Sequence, residues 1–227
     1  MNELQQQKLL KEHFSRFITE HKRAFMERVL AMRTRYVTMV LEDIFQSQNT
    51  SAVIRTCECL GLQEVHVIEM MSSWSTNKLV LKGSDKWLDI RRYRQKGKKN
   101  TEACFASLRE EGYRIAVTDP TGEVQVADVP LDKPLAIVMG NERHGASPYA
   151  REHADLTVKI PMAGFTESMN ISVSAAICLQ VTLARLRNSG YEWELTERDK
   201  EVLRLQWYKK TVRNAELIER EFLRSIA

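Results

Sequence analysis

The 227-residue sequence lacks the features that mark membrane, secreted and metal-binding proteins. No uncharged apolar run approaches the roughly 18 residues of a membrane span, and the N-terminal segment has no apolar stretch of the signal-peptide type. The four cysteines form no CxxC pair and have no histidines nearby at a zinc-ligand spacing. We therefore expect a cytoplasmic protein with reduced cysteines, without membrane attachment and without a bound metal.

The sequence also lacks a large excess of one charge, since its net charge is +4. The charges are, however, unevenly distributed along the chain. Residues 1–35 carry eight Lys and Arg against four Glu, residues 82–99 eight against two acidic residues, and residues 198–227 eight against five. Residues 100–170 reverse the sign, with eleven acidic and six basic residues. This separation favours a polyanion bound by both ends of the chain and by one central segment. Solvated helix faces are the alternative.

Apolar spacing divides the chain into three parts. Helical periodicity over residues 1–35, and again over residues 191–227, predicts two basic helical extensions. Between them, over residues 36–190, short apolar runs alternate with helical segments. The predicted strands are residues 36–41, 64–69, 113–118, 135–139 and 156–160, and the predicted helices are residues 50–60, 101–111 and 170–188. This alternation predicts an α/β fold with a parallel sheet and helices on both faces.

Polar or glycine residues follow three of the predicted strands, at the sheet edge where open parallel sheets bind ligands. In the first of these segments, Asn49 stands at the start of a helix and Arg55 lies off its apolar stripe. Arginine carries a rigid fork of donors that suits phosphate or ribose oxygens. A surface salt bridge is the simpler alternative for Arg55.

The second segment is GNERHG, residues 140–145, which directly follows a predicted strand. Its glycines allow backbone amides to approach a ligand closely. The segment matches neither the GxGxxG dinucleotide pattern nor the P-loop, and a tight turn before a helix capped at Ser147 is the alternative. Because loop histidines are usually solvated, we assign His144 no catalytic role.

The third segment, residues 160–176, joins a predicted strand to a long helix. Small residues at the start of this helix permit close packing or a closely bound ligand. Ser168 or Asn170 can cap the helix, and capping alone would explain either residue.

Taken together, the three segments resemble the SpoU family of the knotted (SPOUT) methyltransferases. The resemblance covers residues 36–190 and rests on three motifs: Asn-x5-Arg from Asn49, Gly-Asn-Glu-Arg-x-Gly from Gly140, and Ser-Met-Asn-x-Ser-x-Ser from Ser168. It implies a deep trefoil knot formed by residues 135–188. It also implies a homodimer, in which Arg55 approaches the methyl donor bound by the other subunit.

The resemblance further implies a cofactor and a set of site residues. The cofactor would be S-adenosylmethionine, bound by Met139, Gly140, Asn141, Ile160, Met162, Ser168 and Met169. The catalytic residues would be Arg55, Asn49, Glu142, Ser168 and Asn170. Because a guanidinium group is a poor base, we hypothesise that Arg55 stabilises the developing alkoxide while a substrate phosphate helps to take the proton.

The implied substrate is tRNA. Both basic extensions and residues 82–93 are similar to those of family members that methylate the ribose 2′-hydroxyl of guanosine 18 in the D-loop. The residues expected to bind tRNA phosphates are Arg16, Lys22, Arg23, Arg28, Lys209, Lys210 and Arg213. Three alternatives stay open: 2′-O-methylation of rRNA or of the tRNA wobble nucleotide, a catalytically silent RNA-binding module, and a small-molecule methyltransferase.

Overall fold

A computed structural model describes residues 3–97 and 99–226, which form two compact units. Thr34–Trp193 form one unit, and the chain up to Arg33 together with the chain from Glu194 forms the other. Residues 1, 2 and 227 of the expected extensions, and Lys98 of the central basic segment, lie outside the described residues.

The secondary structure follows the alternation expected from the sequence. The strands are β1 (Val37–Glu42), β2 (Glu64–Ile68), β3 (Asp89–Tyr93), β4 (Arg114–Thr118), β5 (Val124–Gln125), β6 (Leu135–Met139) and β7 (Leu156–Lys159). The helices are α1 (Glu3–Ser15), α2 (Glu20–Ala31), α3 (Ser47–Leu60), α4 (Lys78–Leu81), α5 (Asn100–Glu110), α6 (Pro148–Glu152), α7 (Ile171–Arg187), α8 (Glu197–Thr211) and α9 (Ala215–Ser225). Short 3-10 turns cover Ser84–Trp87 and Val126–Asp128.

The strands of Thr34–Trp193 form one parallel sheet in the order β3-β2-β1-β6-β4-β7-β5. In the central strand β1, Met39 is in register with Val65 of β2 and with Ile137 of β6. All six residues of β1 are buried, as expected for a strand covered on both faces. The predicted parallel α/β fold is therefore confirmed.

Alternate side chains of the central strands pack into two separate apolar clusters, one on each face of the sheet. Met39 and Leu41 belong to the cluster that includes the buried faces of α3 and α7. Val40 and Val138 belong to the other cluster, with Phe105 of α5. Truncation of a fully buried phenylalanine such as Phe105 to alanine would cost about 3–5 kcal/mol. Helices therefore cover both faces of the sheet.

The carboxyl ends of β1, β6, β4 and β7 lie side by side at one edge of the sheet, because these neighbours are parallel. Ligands bind at this edge in open α/β sheets. The segments that follow β1, β6 and β7 are the three that carry the family motifs. The knot implied for residues 135–188 stays a prediction.

In the second unit, the helices from the two ends of the chain pack against each other: α1 contacts α8 and α9, and α2 contacts α8. Phe14 and Leu30 are buried in this unit, and the guanidinium of Arg33 lies 5.4 Å from the ring centre of Trp207. Arg204 forms a two-pronged ion pair with Glu27 at 2.5 and 2.7 Å. In the described part of the chain, none of the helices has the length and apolar character that a membrane crossing requires.

Candidate active site

A cavity of about 460 Å³ opens at the carboxyl ends of β4, β6 and β7. Its wall contains every residue that the resemblance assigns to the cofactor: Met139, Gly140, Asn141, Ile160, Met162, Ser168 and Met169. Four of the five residues assigned to catalysis also line it: Asn49, Glu142, Ser168 and Asn170. Three segments that are far apart in sequence thus share one cavity.

The loop after β6 folds back on itself because of its glycines. Asn141 and Gly145 exchange two backbone hydrogen bonds, with N···O distances of 2.9 and 2.8 Å. Gly145 has a φ of 69°, which glycine adopts without strain. A Cβ atom on Gly140 would lie 2.1 Å from the backbone nitrogen of Ala146. Larger residues at position 140 would therefore displace the loop.

The side chain of Glu142 joins this loop to the start of α3. One carboxylate oxygen accepts a hydrogen bond from the backbone N–H of Phe45 at 2.9 Å. The other accepts from the backbone N–H of Gln46 at 3.2 Å and from the Asn49 side-chain amide at 2.8 Å. Partial burial works against the charged form, but these donors outweigh it and hold the pKa of Glu142 below its ordinary value. Glu142 is therefore a carboxylate whose oxygens are committed to positioning.

Asn170 extends the same hydrogen-bond network to α7. Its side-chain oxygen caps the helix by accepting from the Ser172 backbone N–H at 2.9 Å, and its amide donates to the Asn49 side-chain oxygen at 3.1 Å. Asn49 is only 7% exposed, so its side chain depends on these partners. The line Glu142, Asn49, Asn170 connects the three motif segments. Capping of α7 by Asn170 is therefore observed, but it accounts only for the bonds from Ser172 and not for the bond to Asn49.

Arg55 lies apart from this network. It is exposed on α3 and does not line the cavity of its own chain. Among residues 3–97 and 99–226, no carboxylate forms an ion pair with it, so the salt-bridge alternative is not observed there. Ala52, one turn before Arg55 on α3, and Thr56, directly after Arg55, line an open apolar groove together with Val173 and Ala176 of α7.

Sequence reasoning missed two acidic residues that support the site. Glu42, buried at the end of β1, accepts from the Ser147 backbone N–H at 2.9 Å and from the hydroxyl groups of Ser147 and Thr101. Asp43 accepts from three successive backbone N–H groups, those of residues 70–72, at 2.7–3.0 Å. Their place at the carboxyl end of β1 is the signal that could have found them, because ligands bind at this edge of an open parallel sheet.

Sequence reasoning also missed Asp119 on the cavity wall, and it gave Arg143 and His144 no role there. Asp119, in the turn after β4, forms an ion pair with Arg151 at 3.3 Å. Hydrogen bonds from Thr121 are the main reason why the pKa of Asp119 is lowered. Arg143 and His144 also line the cavity, with exposed side chains.

The wall is suited to a small organic cofactor. Its volume falls in the range of pockets that hold such ligands. Met139, Ile160 and Met162 offer apolar surface for a flat ring, while Asn141 and the loop backbones offer polar groups. Within the described residues, no cluster of His, Cys, Asp or Glu could hold a metal ion.

Comparison with known proteins places these features in a family. Residues 36–180 match the SpoU rRNA Methylase family. The chain is 44% identical to a tRNA (guanosine(18)-2'-O)-methyltransferase of Borreliella burgdorferi, over 90% of this chain and 92% of that protein. It is 33% identical to the protein of the same name from Thermus thermophilus, over 77% of this chain and 88% of that protein.

Solved structures show the same likeness. The TrmH/SpoU tRNA modifying enzyme of Aquifex aeolicus superposes with a TM-score of 0.73 and 26% identity, over 86% of this chain and 98% of that one. The SpoU methyltransferase AviRb of Streptomyces viridochromogenes, in complex with the cofactor AdoMet, superposes with a TM-score of 0.57 and 25% identity. That match covers 72% of this chain and 62% of AviRb.

Proposed function

This chain belongs to the SpoU rRNA Methylase family, and from that membership we propose that it transfers a methyl group from S-adenosylmethionine to the ribose 2′-hydroxyl of guanosine 18 in tRNA. The observation that carries the proposal is the hydrogen-bonded line Glu142, Asn49, Asn170, which joins the three family motifs at one cavity. The names of the relatives that match this chain over most of its length support guanosine 18 as the target.

The cavity is the proposed cofactor site. The residues that would hold S-adenosylmethionine are the seven on its wall that the family resemblance assigns to it. When bound, the cofactor supplies a methyl group on a sulfonium sulfur. Ser168 and Met169, both exposed on the cavity wall, would shape the part nearest to α7.

The network around Asn49 would position the reacting groups. Glu142 fixes the start of α3 against the loop after β6, and Asn170 fixes the start of α7 against α3. A cavity held in this way can align the 2′-oxygen with the methyl group, and alignment lowers the barrier by several kcal/mol.

Arg55 would stabilise charge on the 2′-oxygen. That oxygen gains a methyl group and loses its proton, so negative charge develops on it during the transfer. A guanidinium donor placed against this oxygen stabilises the charge without acting as a base. A phosphate of the substrate would take the proton.

Arg55 does not line the cavity of its own chain, so in this proposal a second copy of the chain supplies it. The groove that flanks Arg55 is lined by apolar and small side chains of α3 and α7, and Val173 in it is 47% exposed. The first turns of α7 contribute Ser174 to the cavity and Val173 to the groove, so the two are adjacent. We propose that a second copy covers this groove and brings its Arg55 to the cavity of the first, forming a homodimer.

Basic side chains on the helices of the second unit would bind tRNA phosphates. Of the residues expected to do so, Arg16, Lys22, Arg28, Lys210 and Arg213 are exposed. Lys209 instead forms an ion pair with Glu219 at 2.6 Å, and Arg23 donates to the Ser15 carbonyl at 2.6 Å. These two are held in the fold, so their substitution would also affect stability.

Replacing Lys22 and Arg28 by alanine should lower the slope of log affinity against log salt by about two.

Methyl transfer to a synthetic tRNA tests the proposal. Labelled methyl groups should enter an unmodified transcript but not one with 2′-deoxyguanosine at position 18. Arg55→Ala should slow transfer by about a hundredfold or more, as loss of an oxyanion donor does. Lys133→Ala, which removes an exposed cation before β6, serves as the control and should transfer normally.

Two results would contradict the proposal. Equal labelling of the deoxy transcript would move the target to another nucleotide or another RNA. Tight binding of tRNA without any labelling would identify a silent RNA-binding module.

A further inference from the structure

An arginine stacked on a phenylalanine stands at the mouth of the cavity. The guanidinium carbon of Arg143 lies 4.5 Å from the ring centre of Phe45. Both side chains are exposed, and Phe45 is 54% exposed. Arg143 also lines the cavity, directly after Glu142 in sequence. This pair has no part in the roles proposed above for the family motifs. The packing of the core does not depend on it either.

Both members of the pair are held in place by the positioning network. The backbone N–H of Phe45 donates to Glu142 at 2.9 Å. The backbone N–H of Arg143 donates to the Asn141 side-chain oxygen at 2.9 Å, and the Asn141 amide donates to the Asp43 carbonyl at 2.6 Å. The ring and the guanidinium are therefore carried by two segments that are bonded to each other. An arginine fixed in this way loses little conformational entropy when it binds a ligand.

The donors of the Arg143 guanidinium point to a planar ligand with two acceptors. In the described part of the chain no carboxylate forms an ion pair with this group, so its N–H donors are available. The O6 and N7 atoms of guanine match the arginine fork, which is the commonest base-specific contact of arginine. A phosphate also accepts from this fork, so the experiment below separates a phosphate contact from a base contact. Position beside the cavity favours the base of the reacting nucleotide.

We propose that Arg143 reads the target base, donating to O6 and N7 of guanine while Phe45 supports the guanidinium from behind. The inference rests on the proposed function and deepens it, because it assigns the choice of guanosine to a particular side chain. The 2′-hydroxyl is the same in all four ribonucleosides, so a ribose methyltransferase needs such a contact to discriminate between them.

The test compares guanosine 18 with 7-deazaguanosine 18, which lacks the N7 acceptor, in the same transcript. With native protein, kcat/KM should fall roughly tenfold on the 7-deaza substrate. Arg143→Met keeps an unbranched side chain but removes every donor, so it should transfer slowly and equally to both substrates. Phe45→Leu should reduce the discrimination in part, since it removes the supporting ring. Lys133→Met is the matched control: it removes an exposed cation that has no assigned role, and full discrimination should persist.

Each outcome decides between two roles of Arg143. Loss of discrimination in Arg143→Met, with discrimination intact in Lys133→Met, supports base reading. Full discrimination in Arg143→Met, with the same variant reducing the salt slope of tRNA binding by about one, identifies a phosphate contact and overturns the inference. Failure of native protein to methylate the guanosine transcript at all would instead contradict the proposed function.

Discussion

Both carboxylate oxygens of Glu142 accept hydrogen bonds from the segment that leads into α3. A lowered pKa means that the folded protein binds this proton more weakly than the unfolded chain does. The carboxylate therefore stabilises the fold at neutral pH. This contribution is lost as the pH falls below 4.5, the ordinary value, and through the lowered pKa.

Glu142→Gln should reveal this dependence. A glutamine amide would face backbone N–H donors with donors of its own, so the variant should be less stable than native protein at pH 7. The difference in unfolding free energy should shrink as the pH is lowered below 4.5. Urea unfolding at several pH values measures it. Glu167→Gln, which alters an exposed carboxylate on the same cavity wall, is the control. A difference that stays constant with pH would refute the assigned role of the charge.

At this scale the sequence could identify residues but not their contacts. The segments that carry Asn49, Glu142 and Asn170 stand out because polar residues follow strands of an α/β core, and the family resemblance assigns these three residues to catalysis. Their mutual hydrogen bonds join positions up to 121 residues apart, and no local pattern encodes such a distance. Phe45, the partner of Arg143, is also remote in sequence, so the motif alone does not indicate this pair.

Helix α7 begins at the candidate site. The Asn170 side chain both caps this helix and donates to Asn49 on the cavity wall. Asn170→Ala removes both the cap and the bond to Asn49, whereas Asn170→Ser keeps a good capping group but cannot reach Asn49.

The two Asn170 variants should therefore separate stability from activity. Both variants should lose about 1 kcal/mol or more of unfolding free energy with the Asn49 contact, and Asn170→Ala should lose about 1 kcal/mol more because it also lacks the cap. Both should transfer methyl groups roughly tenfold more slowly, because the buried oxygen of Asn49 is left without its donor. Chemical denaturation and initial rates measure the two effects. A serine variant with native activity would show that the Asn49 contact has no role in transfer.

The elements that the sequence failed to predict share a physical cause. The edge strand β3 (DIRRY) is partly exposed and so lacks a continuous apolar run. The strand β5 has two residues and the helix α4 has four, too few to show a period. The central strands were predicted well because burial on both faces requires unbroken apolar runs. Their ends moved by only one or two residues, as for β1, predicted at residues 36–41 and found at Val37–Glu42.

At the scale of the whole molecule, the fold places Arg55 outside the cavity of its own chain. If each active site takes Arg55 from the other copy, two variants that are inactive alone should complement each other in a mixed dimer. Arg55→Ala lacks the donated arginine, and Gly140→Ala distorts the cofactor loop, since its Cβ would lie 2.1 Å from the backbone nitrogen of Ala146.

Each of these variants alone should be nearly inactive, and their mixture should recover activity. If subunits exchange at random, half of the dimers are mixed and one of their two sites is intact, which gives about a quarter of native activity. Co-expression with two affinity tags, followed by the transfer assay, measures this. Val173→Glu, in the groove, should yield a monomer by sedimentation. No recovery in mixed dimers would mean that Arg55 serves its own chain.

The sequence could not reveal how its two ends are related. Helical periodicity marks both extensions, but only the structure shows that α1 and α2 pack with α8 into one unit. The apolar faces of these helices pack together although the helices lie almost 200 residues apart in sequence. The periodic pattern of each helix does not encode which partner it packs against.

The identity of the methylated nucleoside tests the central claim most directly. An unmodified tRNA transcript is incubated with the protein and S-adenosylmethionine, digested, and analysed by mass spectrometry for the position and chemistry of the new methyl group. We expect 2′-O-methylguanosine at position 18 as the product. A methyl group on a base, or on the ribose of any other nucleotide while guanosine 18 stays unmodified, would contradict this account.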